Sequence, residues 1–264
     1  MDIQKLKTLT PLAKCLGCID LTSLNVTDTD AQIEAMAIKV NEFSNHFPDL
    51  PHVAAICVYP SFTRLLRKKL HVPGVRIAVT GAGFPASQTF LPIKIEECRM
   101  AVEEGADEID IVLSLNHFLS KAFDKTFQEI ASIKAVMGKA HLKVILETGA
   151  LSDPDLISQA SKIAMEAGAH FIKTSTGKFT PAATPQAARV MCEEIRDYAQ
   201  NTGKRIGFKP AGGIVTVEDA LTYYAIVDQI LGPEWLTPAL FRIGASRLAN
   251  HLLSVIKGRP VTYF

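Results

Sequence analysis

Two lysines sit inside short apolar segments of this chain, Lys173 in HFIKT (170–174) and Lys209 in RIGFK (205–209). An amine attacks a carbonyl only when unprotonated, and an ordinary lysine, with a pKa of about 10.4, is almost wholly charged at neutral pH. Desolvation and a neighbouring cation both lower that value, and this is a route to a lysine that forms a Schiff base. Close together, one lysine would be the nucleophile and the other its electrostatic activator; the residues themselves leave open which is which. Asp110 in EIDIVL (108–113) is a candidate to move protons at the carbon that is made or broken.

These residues matter only if they share a space. Side chains alternate along a strand, and in a barrel one face meets the helices while the other fills the interior. In EIDIVL, Ile109, Ile111 and Leu113 form the aliphatic face, which turns Glu108, Asp110 and Val112 inward. In LKVILE (142–147), Leu142, Val144 and Leu146 face the helices, and Lys143, Ile145 and Glu147 face in. Ile206 and Phe208 outward leave Gly207 and Lys209 inside, and Ile172 outward leaves Phe171 and Lys173 inside. Asp110, Glu147, Lys173 and Lys209 are thus expected in the interior, toward the C-terminal ends of their strands. Buried charges are costly unless paired. A purely structural ion-pair network is the alternative, but two lysines among them favour a functional site.

Eight strand-length apolar runs recur along the chain: 18–21, 53–58, 75–80, 108–113, 142–147, 170–174, 205–209 and 240–244. Helix-length amphipathic stretches follow them at 30–44, 60–70, 93–104, 120–138, 153–167, 184–201, 216–230 and 245–257. Asp153 before Pro154 and Thr184 before Pro185 are N-cap signals, and Thr216 with Asp219 is a loose capping box. Strict alternation implies a parallel sheet with helical crossovers. Eight units in 264 residues point to a single-domain TIM (β/α)8 barrel preceded by a short N-terminal helix. A doubly wound sheet is the runner-up, but no glycine-rich turn follows the first strand. The tail KGRPVTYF (257–264) is expected to be flexible, or to fold over the surface.

The loops after the last three strands suit an anion. TSTGK (174–178) follows Lys173 and offers hydroxyls, Gly177 and the Lys178 ammonium. It is not a nucleotide-binding P-loop, since Ile172 stands where the first glycine should be and Phe179 follows the lysine. KPAGGI brings Gly212 and Gly213, which let backbone N–H groups approach an anion closely. GAS ends the eighth strand, with Gly244 and Ser246 opening the last helix, and helix N-termini bind phosphate. Phosphate sites after strands seven and eight recur in this fold; the plainer reading of each glycine is a tight turn.

Composition narrows the classes. A net charge of +1 gives no basic stripe for nucleic acid, and RLLRKKL (64–70) reads as an ordinary solvated helix. With 48% hydrophobic residues the chain can fill a core, yet no apolar run approaches a membrane span. The N-terminus lacks the order of a signal peptide, so a cytoplasmic protein is expected. Five cysteines argue against a disulfide scaffold, and Cys15 and Cys18 read as small buried hydrophobes. The seven histidines show no metal spacing.

GADEIDIVL, LKVILETGAL, GAHFIKTSTGK, GFKPAGGI and RIGAS, with IDLTSLN and AAICVYP near the front, resemble the 2-deoxyribose-5-phosphate aldolases, a class I aldolase family. The resemblance covers nearly the whole chain. It implies a TIM barrel that reversibly cleaves 2-deoxyribose 5-phosphate to acetaldehyde and glyceraldehyde 3-phosphate without metal or organic cofactor. It also implies small-molecule sugar phosphates and aldehydes as partners, and often a homodimer. On the matching positions it makes Lys173 the Schiff-base lysine, Lys209 the neighbour that depresses its pKa, and Asp110 part of the proton relay. Gly177, Lys178, Gly212, Gly213 and Ser246 match the phosphate-binding set, and Asp20, Thr22 and Cys57 match positions lining the site.

The chain departs from the family pattern in three places. Arg247 stands where some members carry a second serine, and would either bind phosphate or point into solvent. Tyr263 is penultimate, where some members end in a tyrosine that reaches the site. VTGAGFP replaces a VTNFP-like stretch and reads as loop variation. Two other functions remain: a different Schiff-base barrel such as a transaldolase-like enzyme, and a silent barrel that senses a sugar phosphate. The second lysine argues against the first, and the intact Lys173, Lys209 and Asp110 against the second.

Overall fold

The computed structural model describes residues 3–151 and 153–264. Among them are eight strands: β1 (Ile19–Thr22), β2 (Ala55–Val58), β3 (Arg76–Gly81), β4 (Glu108–Val112), β5 (His141–Ile145), β6 (Phe171–Lys173), β7 (Gly207–Lys209) and β8 (Ile243–Ala245). All pair in parallel in the order β7-β6-β5-β4-β3-β2-β1-β8. Bridges Phe208–Phe241 and Ala211–Gly244 bring the two ends together, so the sheet nearly closes. Helices alternate with the strands: α1 (Leu9–Gly17) before β1, then α2 (Asp30–His46), α3 (Thr63–Lys69), α4 (Leu91–Glu103), α5 (Leu115–Leu119), α6 (Phe123–Ala135), α7 (Pro154–Glu166), α8 (Pro185–Thr202), α9 (Val217–Leu231) and α10 (Leu248–Lys257). This is the TIM barrel expected from the alternation.

The two faces of the sheet separate as the strand patterns require. Ile109, Ile111, Leu113, Leu142, Val144, Leu146, Ile172, Ile206 and Phe208 all belong to the large core between sheet and helices. Ala55, Cys57 and Ala78 form a separate small cluster inside the ring. The rest of the interior is largely polar, with Asp20, Glu108, Asp110, Lys143, Lys173 and Lys209 all buried. Phe171 also points inward, its ring 5.6 Å from the Arg242 guanidinium and 6.0 Å from the Lys143 amine.

Local signals fixed several helix starts. The side chains of Asp153, Thr184 and Thr216 each accept a backbone N–H of the following helix, and Asp219 completes a capping box. Elsewhere the chain departs from the expected bounds. The helix expected over 120–138 is the shorter α6, and a further short helix, α5, precedes it; Lys121, at φ 59°, takes the left-handed region between the two. Strand β8 starts at Ile243 rather than Leu240, since the N–H groups of Leu240 and Phe241 donate to the Thr237 carbonyl in a turn.

The C-terminal tail takes the second of its two expected courses and folds over the surface. Asn250 accepts the N–H groups of Tyr263 and Phe264 through Oδ1 and donates to the Phe264 carbonyl. Tyr263 packs its ring on Phe43, His46 and Phe47 and donates to the Lys39 carbonyl. It therefore sits on α2, away from the barrel mouth. All five cysteines are free and buried. Among the described residues, no helix is long and apolar enough to cross a membrane.

Candidate active site

The reactive geometry follows from strand register. Lys173 and Lys209 are direct partners on β6 and β7, and Asp110 pairs with Lys143 across β4 and β5. Register partners present side chains to the same face, so all four project inward. The Asp110 Oδ2 accepts from both Lys173 Nζ and Lys209 Nζ, each at 2.7 Å. Lys143 Nζ donates to Asp110 Oδ1 at 3.1 Å and lies 2.5 Å from Glu108 Oε2. Asp20 pairs with Lys209 on one oxygen and with the Arg242 guanidinium on the other, at 2.6 Å. Arg242 also takes Glu108 in two hydrogen bonds, at 2.7 and 3.0 Å.

The cluster separates its two central lysines. Burial drives the Lys173 amine below the ordinary lysine value; Asp110 opposes this, and Lys209 adds to it. Burial acts on Lys209 too, but Asp110 and Asp20 outweigh it and raise that amine well above the usual range. Of the two, Lys173 is the more easily deprotonated amine. Asp110 is buried, which favours its neutral form, yet Lys143, Lys173 and Lys209 hold it well below the usual carboxylate range.

Above Lys173 opens a cleft of about 470 Å³ at the C-terminal ends of β6, β7, β8 and β1. Lys173 lies at its floor, and Thr22, Gly177, Lys178, Gly212, Gly213 and Ser246 line its wall. Arg247 borders it too, with its side chain exposed to solvent. Thr174 ties the loops after β6 and β7 together, accepting the Ala211 N–H at 3.0 Å and donating to the Ala211 carbonyl at 3.2 Å. Gly177 and Gly212 sit in the left-handed region, at φ 76° and 87°. A Cβ on Gly212 would stand 2.6 Å from Ala182 Cβ and 3.1 Å from Gly177 Cα, so the loops meet this closely only through glycine.

One residue expected among the interior charges is engaged elsewhere. Glu147 does not join the lysines. Strand β5 ends at Ile145, and Glu147 takes a left-handed backbone, φ 54°, which breaks the alternation. Its carboxylate instead accepts the Thr176 N–H at 3.2 Å and hydroxyl at 2.5 Å, anchoring the loop that carries Gly177 and Lys178. Cys57 is wholly buried in the small cluster with Ala55 and Ala78, close enough to Lys209, Asp110, Lys173 and Asp20 to feel their charges, and burial raises its thiol pKa. Arg242 was not anticipated. The signal was present, an arginine between Phe241 and Ile243 in an apolar run, and alternation would have turned it inward.

The match to known proteins is extensive. The model of the DeoC/LacD family aldolases matches residues 15–246. The chain belongs to the DeoC/LacD aldolase family. Similar curated members include the deoxyribose-phosphate aldolase of Homo sapiens, 43% identical over 91% of this chain and 79% of that one. That of Bos taurus is 42% identical over 90% and 78%. Among solved structures, a putative deoxyribose-phosphate aldolase from Coccidioides immitis superposes with a TM-score of 0.76 at 25% identity, covering 94% of this chain and 86% of its own. One from Toxoplasma gondii ME49 superposes at 0.83, covering 97% of both chains; at 21% identity it bears on the fold alone.

Proposed function

We propose that this protein is a class I aldolase that reversibly cleaves 2-deoxy-D-ribose 5-phosphate into acetaldehyde and D-glyceraldehyde 3-phosphate, through an imine on Lys173. The observation that carries it is a buried lysine with a lowered pKa at the floor of a cleft whose rim bears Lys178 and Arg247. The names of the similar aldolases supply the substrate, and degradation of deoxyribonucleotides in the cytoplasm is the setting that fits it.

The residues suit each step. Lys173 Nζ adds to the C1 aldehyde of the open-chain sugar, and loss of water leaves a cationic imine. The C2–C3 bond then breaks, with its electrons drawn into the imine as an enamine, while the C3 hydroxyl gives up its proton and becomes the aldehyde of glyceraldehyde 3-phosphate. Protonation of the enamine at C2 and hydrolysis release acetaldehyde and free the lysine. Asp110, ionised beside Lys173, stabilises the cationic imine and through water helps to move the protons. Lys209, held cationic by Asp20 and Asp110, disfavours a second charge on Lys173. The phosphate sits at the far rim against Gly177, Lys178, Gly212, Gly213 and Ser246, beside the N-terminus of α10, and Thr22 contacts the chain between.

The test is a trap. The protein is incubated with 2-deoxyribose 5-phosphate, reduced with borohydride and mapped by peptide mass spectrometry. A reduced adduct on Lys173 is expected. An adduct on Lys209 instead reverses the assignment of the pair, and a folded protein with no adduct rules out this substrate or the imine.

A further inference from the structure

The interior cluster does not balance. Around Lys173, β1 supplies Asp20, β2 the Cys57 thiol, β4 Glu108 and Asp110, β5 Lys143, β7 Lys209, and the residue just before β8 is Arg242. Glu147 is engaged by Thr176, and His141, at the far end beside Glu108, is held neutral by burial. With burial raising the Cys57 thiol, that leaves three carboxylates, Asp20, Glu108 and Asp110, against four cations, Lys143, Lys173, Lys209 and Arg242. One positive charge is in excess in a region that solvent scarcely screens.

The contacts decide where the excess falls. Arg242 engages both oxygens of Glu108 and one of Asp20. Lys143 takes Glu108 and the Oδ1 of Asp110. Lys209 takes the Oδ2 of Asp20 and shares the Oδ2 of Asp110. Lys173 has only that shared oxygen. We propose that Lys143 and Arg242 are positioning residues for the reactive lysine: by occupying Glu108 and parts of Asp20 and Asp110, they leave Lys173 without a carboxylate of its own, and the cluster sheds its surplus proton there. Lys209 is then one of three cations that keep Lys173 neutral. The other two lie a layer deeper, beyond reach of a substrate in the cleft.

The consequence for catalysis rests on Lys173 as the imine-forming amine, but the charge device is testable without any substrate. Competitive acetylation with acetic anhydride across pH, read on the peptide carrying Lys173, reports the titration of that amine directly. In Lys143→Met the cluster has three cations and three carboxylates, so the proton stays. The Lys173 titration moves up by about one unit, and labelling below it falls about tenfold. Lys143→Arg, which keeps the charge, leaves the titration where it is. Adding Glu108→Gln to Lys143→Met restores one surplus cation and returns the titration toward that of the unmodified protein. A purely structural role for Lys143 cannot give this return. Should Lys143→Met not fold, Arg242→Met removes the same charge from the other side of Glu108, and the same upward shift is expected. A Lys173 titration that stays put on loss of either cation, or a double variant that fails to return it, overturns the proposal. Borohydride trapping on the same preparations separates this failure from failure of the aldolase reading, since acetylation needs no imine.

Discussion

Lys173 and Lys209 face each other across neighbouring strands and share one oxygen of Asp110, yet their amines are driven in opposite directions. Lys209 has Asp20 as well, and Lys173 does not. Burial therefore wins at Lys173, while two carboxylates win at Lys209. One further ion pair separates an amine that burial discharges from one held as a fixed charge.

That difference predicts the outcome of removing each amine. Lys173→Met is expected to lose both the trapped adduct and turnover, by at least about a thousandfold, or roughly 4 kcal/mol in the barrier. Lys209→Met is expected to lose activity while the residual adduct stays on Lys173. Steady-state kinetics with 2-deoxyribose 5-phosphate, paired with peptide mapping, checks both. Equal labelling of the two lysines in the unmodified protein contradicts the division.

The pH profile follows with a definite sign. A lowered pKa means that Lys173 becomes reactive at a lower pH than an ordinary lysine, so kcat/KM should rise with pH through that lowered value and level off below about 10.4. Lys209, raised above the ordinary value, stays charged across the range and adds no limb of its own. A rate still climbing steeply at pH 10 means that Lys173 is not desolvated as the structure has it.

Asp20 and Asp110 give an acid-stability prediction of the opposite form. Both are depressed in the fold despite burial, Asp20 chiefly by Lys209, Lys143 and Arg242, and Asp110 by Lys143, Lys173 and Lys209. Their contribution is full above the unfolded carboxylate value, about 3.9, and fades as pH falls below it toward the folded values. Thermal unfolding should thus weaken markedly from about pH 4 downward. In Asp20→Asn the loss should be shallower, on a lower baseline. Calorimetry from pH 3 to pH 7 separates the two curves.

How much of this was legible depended on how far each signal reached along the chain. Caps at Asp153, Thr184 and Thr216 were readable because both partners lie within four residues. The inward charges Asp110, Lys173 and Lys209 followed from alternation, which holds while a strand lasts. At Glu147 the strand had already ended, so the same rule misplaced it. Arg242 obeyed the rule but fell in a run whose strand begins late. Lys94 and Glu129 were invisible: each reads as a solvated helix charge, yet they meet in the interior between α4 and α6 with Ser87 and Ser114. Such a pair exists only once the helices have packed, and no local pattern announces it.

The rim of the cleft makes a separable prediction. Lys178 and Arg247 line it, and no carboxylate among the described residues does. A hydrogen bond to a charged group is worth about 1.5–3 kcal/mol. Lys178→Met and Arg247→Met should therefore each raise KM for 2-deoxyribose 5-phosphate by roughly ten- to a hundredfold, with a smaller change in kcat. Turnover of unphosphorylated 2-deoxyribose should change little. Both sugars measured on each variant decide it: a parallel loss on the two substrates places these cations in the chemistry and not in phosphate recognition.

Gly207 ties the packing of the interior to its charges. A Cβ there would lie 2.2 Å from the nearest atom of the Phe171 ring, and the next two ring atoms are 2.3 and 2.6 Å away. The ring cannot yield freely, because Arg242 and Lys143 approach it within the barrel and Lys173 follows two residues later on the same strand face. Gly207→Ala is therefore an overpacking change, expected to cost about 1–3 kcal/mol. It should lower the urea midpoint with little change in slope. Because the displaced ring is on the strand that aims Lys173, trapping should also slow in protein that remains folded. A stable variant with unchanged trapping would mean that β6 can shift as a unit, with Lys173 held by Asp110 and not by the strand.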